Sequence, residues 1–226
     1  MTAPRDDILA NIRRSLGVTG TEAPRLAVVA ARLAGHPRGV VPARGQLPPR
    51  ERVDLFARMV EAASATTTRV RDGADIPATV ADVLRGLNLP LRVRHGEDPR
   101  LAGLPWSNAP ALEVSRGPSD GRDLAAVSHA FAAVAETGTV VLTSGPDNPT
   151  TLNFLPDVHI VVVEARAIAA DFETVMGKLR ERYGEGMLPR AVNMITGPSR
   201  SADIEQTLLL GAHGPRKLHV IVVGDA

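Results

Sequence analysis

The chain of 226 residues contains no cysteine. It therefore cannot form a disulfide, use a thiolate nucleophile, or hold an iron–sulfur cluster through its own thiolates. Aromatic residues make up only 3% of the sequence, although 44% of it is apolar. The core must then be built from Val, Leu, Ile and Ala, as in parallel sheets flanked by helices. Composition alone thus favours an α/β protein.

Long apolar runs and targeting signals are lacking as well. No stretch approaches the ~20 apolar residues that are needed to span a bilayer. The N-terminus shows no charged region followed by an apolar core and a small-residue cleavage site. We therefore expect a cytoplasmic protein that has no membrane partner.

Charge is distributed unevenly along the chain. Residues 1–50 hold eight arginines and three acidic residues, a net +5, whereas the remainder sums to −4. A basic arm can bind nucleic acid, but this one has no interleaved aromatic residues and no recognised DNA- or RNA-binding motif. We therefore do not predict a nucleic-acid partner, and interpret the arm as solvated or as docking onto a partner subunit.

Two parts are predicted, an N-terminal arm over residues 1–49 and an α/β domain over residues 50–226. Residues 5–16 place apolar side chains at helical spacing and are followed by Gly17, which is typical of a short amphipathic helix. Residues 17–49 are rich in Pro, Gly, Ala and Arg and predict an irregular connector.

The body predicts alternating strands and helices. Helices are expected over residues 50–64, 76–87, 123–135 and 168–183. Strands are expected over residues 66–70, 91–94, 111–115, 139–143, 158–164, 191–196 and 218–223. This alternation implies right-handed crossovers and a mainly parallel sheet. In such sheets, ligands bind in the crevice beyond the carboxyl ends of the strands.

The segment from 191 to 223 predicts strand, polar loop, helix, tight turn and strand. Ser201 or Asp203 can cap a helix that ends at Gly211. Free amides at the helix start favour an anion, and Arg200 can clamp a carboxylate or phosphate. Simple capping is the alternative interpretation of this loop, which is neither a P-loop nor a dinucleotide fingerprint. Its candidate ligand-binding residues are Gly197, Pro198, Ser199, Arg200 and Asp203.

A second candidate loop, residues 136–139, lies between the predicted Ala-rich helix and the strand that follows. Glu136 can act as a nucleophile or base if its surroundings tune it. Alternatively, it ties the loop together through hydrogen bonds to backbone amides. The candidate ligand-binding residues beside it are Thr137, Gly138 and Thr139.

The histidines divide by position. His213 lies in a loop next to Gly214, where an imidazole can titrate near neutral pH, so His213 is a candidate catalytic residue and Gly214 a candidate ligand-binding residue. His159 and His219 each begin a core strand and are interpreted as structural. No histidine pair has helix-face metal spacing, so no metal site is predicted.

Two signatures resemble the LUD domain of the lactate-utilisation protein C family. The first is GPSRSADIE at residues 197–205, followed by GAHGP at residues 211–215, and the second is ETGT at residues 136–139. Ser201 stands where the family more often has Thr, which keeps the hydroxyl. The resemblance covers roughly residue 50 to the C-terminus. It implies a Rossmann-like fold similar to the ribose-phosphate isomerase, glucosamine-phosphate deaminase and CoA-transferase group.

The same resemblance implies a part in oxidising L-lactate to pyruvate alongside partner proteins that carry iron–sulfur clusters. This chain would be a non-redox component without a cofactor of its own, binding a small carboxylate or other anion. Arg200 would pair with the anion, and Glu136 would accept or position a proton. The fold group implies an alternative, a stand-alone enzyme of acyl-CoA transfer or phosphosugar chemistry that uses Glu136. The sequence leaves open which is right, and whether the chain is an enzyme.

Overall fold

The computed structural model describes residues 4–184, 186–202 and 208–225. The chain divides into two compact units, Met1–Val41 and Pro42–Ala226. The first unit contains α1 (Pro4–Leu16) and α2 (Ala23–Gly35). Within the described residues, no helix combines the length and the apolar character that crossing a membrane requires.

Helix α2 corrects the prediction of an irregular connector. It is rich in Ala, Leu and Arg, which have high helix propensity, and Pro24 stands in its first turn, where proline is tolerated. His36 ends the helix in the left-handed region and donates its backbone N–H to the carbonyl of Arg32. Pro24 is thus compatible with the start of the helix and does not prevent it.

The second unit carries the remaining elements. Its helices are α3 (Pro49–Ala62), α4 (Ile76–Gly86), α5 (Pro99–Ala102), α6 (Thr150–Phe154) and α7 (Phe172–Tyr183). Its strands are β1 (Thr66–Val70), β2 (Arg92–His95), β3 (Glu113–Arg116), β4 (Ala125–His129), β5 (Ala132–Val134), β6 (Thr139–Thr143), β7 (Val158–Glu164), β8 (Ile168–Ala169), β9 (Val192–Ile195), β10 (Arg200–Ala202), β11 (Leu208–Leu210) and β12 (Lys217–Val223).

Six of the strands form one parallel sheet in the order β1-β12-β7-β4-β2-β3. One face packs on α3 through Phe56 and Val60, and the other packs on α4 through Val80 and Leu84. Successive residues of β7 and β12 alternate between these two cores. The predicted α/β fold, a mainly parallel sheet flanked by helices, is confirmed.

A smaller sheet has the order β8-β5-β6-β9. Strand β6 pairs antiparallel with both β5 and β9. The strands predicted over residues 139–143 and 191–196 are therefore present, but they belong to this sheet and not to the parallel one. Their β-branched, apolar character made them indistinguishable from strands of the main sheet.

The helix predicted over residues 123–135 is wrong, because this segment forms β4 and β5. Every residue of both strands is buried. Strand β4 is paired with β7 along one edge and with β2 along the other, and all of its residues are buried, which the small alanine side chains allow. Burial in the sheet outweighs the high helix propensity of alanine.

The helix predicted between Ser201 and Gly211 is wrong at both of its ends. Strands β10 and β11 pair antiparallel, with Arg200 opposite Leu210 and Ala202 opposite Leu208. A helix of about ten residues is marginal without packing, whereas the ribbon pairs the backbone directly. Asp203, the predicted cap, lies outside the described residues.

We expect stability to fall in mild acid because two buried histidines stay neutral in the folded chain. Burial lowers the pKa of His219 to about 4 and that of His159 to about 3. The unfolded chain takes up these protons near pH 6.5 and the folded chain does not. The free energy of unfolding should therefore fall between pH 6 and pH 5 by up to about 1.4 kcal/mol per pH unit for each histidine.

Urea unfolding at several pH values measures this slope. His219→Asn should reduce the slope by the contribution of one histidine. Val222→Ala removes apolar atoms from the same strand and should lower stability equally at every pH. A slope that is unchanged in His219→Asn would contradict the assignment.

Candidate functional site

A cavity of about 250 Å³ lies over one face of the parallel sheet, near the amino ends of β7 and β12. Its floor includes His159 and Leu218, which are opposite each other in register and are each the second residue of their strand. The walls come from the end of α6, from the end of β9 with the loop that follows it (residues 194–199), and from the loop at residues 213–215. The cavity thus joins the parallel sheet, the small sheet and the C-terminal loops.

Ser199 holds the two loops together. Its backbone N–H donates to the carbonyl of Pro215 at 2.8 Å, and its carbonyl accepts from the N–H of Gly211 at 2.9 Å. Its hydroxyl also accepts from the backbone N–H of His213 at 3.4 Å. Because Ser199 bonds both before and after the turn, the loops form one wall.

The cavity lies near the amino ends of the parallel strands. General α/β topology predicts a site beyond their carboxyl ends instead. The sequence was interpreted with residues 191–196 as a strand of the main sheet, which would place the following loop at a carboxyl edge. In the structure this strand is β9 of the small sheet, antiparallel to β6. Its carboxyl end therefore meets the turn that precedes β12.

Five predicted site residues line this cavity: Gly197, Pro198, Ser199, His213 and Gly214. Gly197 and Pro198 are buried, whereas His213 is exposed. Arg200 follows the lining directly, on β10, and its side chain is exposed. Arg200 is not one of the cavity's lining residues.

The Glu136–Thr139 motif reaches the cavity through a chain of hydroxyls. Thr137 Oγ1 lies 2.7 Å from Thr139 Oγ1, which lies 2.6 Å from Thr196 Oγ1. Thr196 is itself a lining residue. The Glu136–Thr139 segment is therefore hydrogen-bonded to the residue that directly precedes the signature starting at Gly197.

Glu136 does not line the cavity. It is 4% exposed, and its Oε2 has no hydrogen-bond partner among the described residues. Its backbone N–H donates to the carbonyl of Ala170 at 3.4 Å, and a Cβ on Gly45 would stand 3.4 Å from its own Cβ. Glu136 is thus enclosed by backbone and not presented to the space that His213 faces.

Two residues that the sequence did not select provide the polar floor of the cavity. Asn153 and His159 are both fully buried and both line it. The Ser128 hydroxyl donates to Asn153 Oδ1 at 3.3 Å and lies 3.0 Å from His159 Nε2. Asn153 Nδ2 and His159 Nδ1 have no partner among the described residues.

A sequence signal existed for Asn153 but not for His159. Asn153 interrupts the apolar run Leu152 to Leu155. Burying a polar side chain there costs free energy unless the side chain is hydrogen-bonded. His159 and His219 occupy equivalent second or third positions in apolar strands, and only the structure separates them. His219 pairs with Thr66 Oγ1 at 2.7 Å on the opposite face of the sheet, whereas His159 faces the cavity.

A separate polar cluster lies at the carboxyl ends of the parallel strands. His129 Nε2 lies 3.7 Å from Glu164 Oε1, and Asp98 accepts from Arg100 at 2.6 and 2.9 Å. Burial opposes ionisation of Asp98, but the Arg100 hydrogen bonds lower its pKa overall. Burial also lowers the pKa of His129. No group of three or more His, Asp or Glu side chains within the described ranges is placed to hold a metal ion.

Gly138 is required by the backbone around the Glu136–Thr139 motif. Its φ is +67°, and an added Cβ would lie 2.5 Å from the backbone nitrogen of Val60. We expect Gly138→Ala to destabilise the fold by about 2 kcal/mol or more, through strain and displacement of α3. Urea unfolding measures the change.

Gly177 provides the matched control for this substitution. It lies in α7, and an added Cβ would meet nothing within 4 Å. Gly177→Ala should stabilise by about 0.5–1 kcal/mol, because alanine loses less entropy in a helix. Equal effects of the two substitutions would show that the motif glycine is not conformationally required.

Comparison with known proteins agrees with the signatures. Residues 124–223 match the family model of the LUD domain. A lactate utilization protein C from Geobacillus sp. (strain WCH70) is 42% identical over 93 residues, which are 41% of this chain and 39% of that protein. An uncharacterized protein from Neisseria meningitidis serogroup B is 34% identical over 146 residues, 62% of this chain and 61% of that protein.

The matches to the first of these relatives are partial, since the aligned segment spans about two fifths of their length. At the level of structure, a DUF162 family protein from Deinococcus radiodurans has a TM-score of 0.57 at 27% identity, covering 79% of this chain and 99% of that chain. Residues 124–223, which contain most of the cavity and both signature segments, therefore match the LUD domain, as the motifs predicted.

Proposed function

We propose that this chain is a non-redox component of a lactate-utilisation system and that it binds a small carboxylate or other anion in the cavity. The observation that carries the proposal is the composition of the cavity. The cavity is lined by signature residues and by two buried polar residues, Asn153 and His159. The signature residues are Gly197, Pro198, Ser199, His213 and Gly214. The names of the relatives supply the metabolic context.

Size and lining favour a ligand of few atoms. The cavity has a volume of about 250 Å³, which is below the range of drug-sized pockets. Phe154, Met194 and Leu218 make part of the wall apolar, which suits a short carbon chain. A few polar groups among apolar walls are the usual composition of a small-molecule site.

Arg200 is the proposed counter-ion. It stands one residue beyond Ser199, on β10, and its side chain is exposed. A guanidinium can bind a carboxylate through two parallel hydrogen bonds. We propose that Arg200 turns towards the cavity when the anion is bound; Asp203, the other predicted charged residue of this motif, lies outside the described residues.

Electron transfer is assigned to partners in this proposal. A chain without cysteine cannot ligate an iron–sulfur cluster through its own thiolates. The proposal therefore pairs the chain with iron–sulfur subunits that accept the electrons from lactate. Reconstitution of lactate oxidation with and without this chain tests that pairing.

Isothermal titration calorimetry with L-lactate, pyruvate, acetate and phosphate tests the anion site. Arg200→Gln should weaken binding of the best ligand about 10-fold, because a charge-assisted pair contributes about 1.5–3 kcal/mol less what solvent screening removes. Arg92→Gln, on β2 outside the cavity, removes another exposed arginine charge and should leave binding unchanged. Equal affinity of wild type and Arg200→Gln would remove Arg200 from the site.

A second candidate function, acyl transfer from acyl-CoA, rests on the unpartnered Oε2 of Glu136. In that reaction the carboxylate would attack the thioester carbonyl, expel the CoA thiolate and form a mixed anhydride. The enclosed position of Glu136 counts against it, since a thioester would need an opening beside Gly45 and Ala170.

Hydroxylamine distinguishes the two candidates, because it converts such an anhydride into a hydroxamate. Under the first proposal, incubation with a range of acyl-CoAs followed by hydroxylamine leaves the mass of the chain unchanged. A hydroxamate at Glu136 that is absent in Glu136→Gln would instead establish acyl transfer.

A further inference from the structure

A pocket distinct from the cavity lies at the carboxyl edge of the parallel sheet. Its larger part has a volume of about 620 Å³ and is lined by Val70, which ends β1, and by Gly224, which follows β12. Its smaller part has a volume of about 260 Å³ and is lined by Ala165, which follows β7. Both parts are lined by Asp225, and together they are called the carboxyl-edge pocket. Leu218 of the cavity lies six residues before Gly224, so the two sites are roughly 20 Å apart along β12.

Arginines dominate the lining of the carboxyl-edge pocket. Five arginines and two aspartates line it, which gives a net charge of +3. They are Arg50, Arg52, Arg69, Arg71 and Arg166, with Asp54 and Asp225. Arg69 and Asp54 neutralise each other through an ion pair of 2.7 Å. The side chains of Arg50, Arg71 and Arg166 are exposed and form no hydrogen bond or ion pair within the described residues. Three guanidinium groups are therefore free to bind an anion.

Arg52 and the start of α3 add positive charge at the same place. Arg52 is partly buried, and its guanidinium donates to the carbonyls of Leu47 at 3.2 Å and Ile168 at 3.3 Å, without a carboxylate partner among the described residues. The first turn of α3 contributes lining residues to both parts of the pocket, and the positive end of a helix dipole favours an anion. Glu51, the acidic residue of this turn, is exposed and does not line the pocket. The protein therefore leaves an excess of positive charge at this edge.

The three unpaired guanidinium groups come from separate elements. Arg50 belongs to the first turn of α3, Arg71 directly follows β1, and Arg166 follows β7 by two residues. Because β12 lies between β1 and β7, the ends of those two strands are about 10 Å apart. A carboxylate, with two oxygens and one charge, cannot pair with all three groups. Two linked phosphate groups carry more charge, offer more acceptor oxygens and extend further.

We infer that the carboxyl-edge pocket is a second binding site, independent of the cavity, which takes a ligand with a diphosphate group. Arg50, Arg71 and Arg166 bind the phosphate oxygens through charge-assisted hydrogen bonds, and Arg52 supplies fixed charge behind them. Ligands of open α/β sheets bind beyond the carboxyl ends of the strands, an edge that the cavity does not occupy. The larger part of the pocket has the volume of an ordinary small-molecule site, so it can also hold an organic group attached to the diphosphate.

Calorimetry on the full chain at low ionic strength tests the inference with pyrophosphate, phosphate, ADP, AMP and succinate. Pyrophosphate should bind at least about 10-fold more tightly than phosphate or succinate, because each of these leaves guanidinium groups unpaired. ADP and AMP apply the same comparison to an organic diphosphate, and the tighter binder of pyrophosphate and ADP identifies the source of the group. Equal binding of pyrophosphate and succinate would overturn the inference. Absence of binding by both diphosphates would overturn it while leaving the proposed carboxylate cavity in place, and binding of a hexaglutamate peptide in that case would assign the arginines to an acidic protein partner.

Substitution of the unpaired arginines tests their part in the site. Arg50→Gln, Arg71→Gln and Arg166→Gln should each weaken binding of pyrophosphate about 5-fold, since solvent screens each of these exposed contacts. The side chains are exposed and unpaired within the described residues, so these variants should fold normally. Arg58→Gln removes an exposed arginine from α3 outside the pocket and should leave the affinity unchanged. Equal affinities of all four variants and the wild type would overturn the inference.

Amide NMR of the wild-type chain locates the bound diphosphate without any substitution. Addition of pyrophosphate should shift the amide resonances of Val70, Arg71 and Gly224 and leave those of Gly197 and Gly214 unchanged. Shifts confined to Gly197 and Gly214 would place the diphosphate in the cavity and overturn the assignment of a second site.

Discussion

The parallel pairing of β12 with β7 is the contact on which the rest of the structure depends. Seven residues of each strand lie in register, from Lys217 opposite Val158 to Val223 opposite Glu164. Strand β12 also pairs with β1, so the last strand of the sequence is inserted into the interior of the sheet. Both faces of these strands are buried in apolar cores. Displacing β12 would therefore open both cores and remove one floor residue and one wall of the cavity.

Register explains why the cavity has a polar floor at all. Because side chains alternate across a strand, His159 shares a face with Val161 and Val163, which belong to the core beneath α3. A shift of one residue would move His159 to the other face and take it away from Ser128 and Asn153. The apolar runs on either side make such a shift costly, so the core fixes the position of the polar group.

The unpaired atoms of the floor oppose stability. Asn153 Nδ2 and His159 Nδ1 are buried without a partner among the described residues, at a cost of about 1–3 kcal/mol each. Apolar packing on both faces of the sheet offsets that cost. Glu136 Oε2 is also buried without a partner among the described residues, but Glu136 is not one of the residues that line the cavity. Buried polar atoms without a partner therefore occur in two different places, and one of them belongs to side chains that line the cavity.

The sequence by itself determined the α/β class, the strands at residues 66–70, 139–143 and 158–164, and the signature motifs at residues 136–139, 197–205 and 211–215, since apolar periodicity and turn residues act locally. It did not determine which sheet each strand joins: residues 139–143 and 191–196 have the same β-branched pattern as strands of the parallel sheet. Nor did it reveal β4. The helix propensity of alanine depends on local sequence alone, whereas the pairing of β4 with β7 and β2 and its burial depend on residues far away in the chain. The sheet assignment of β9 decided which edge carries the cavity, and long-range register decided that His159 faces it while His219 does not. Those outcomes depend on contacts between residues far apart in the chain, which only the tertiary structure specifies.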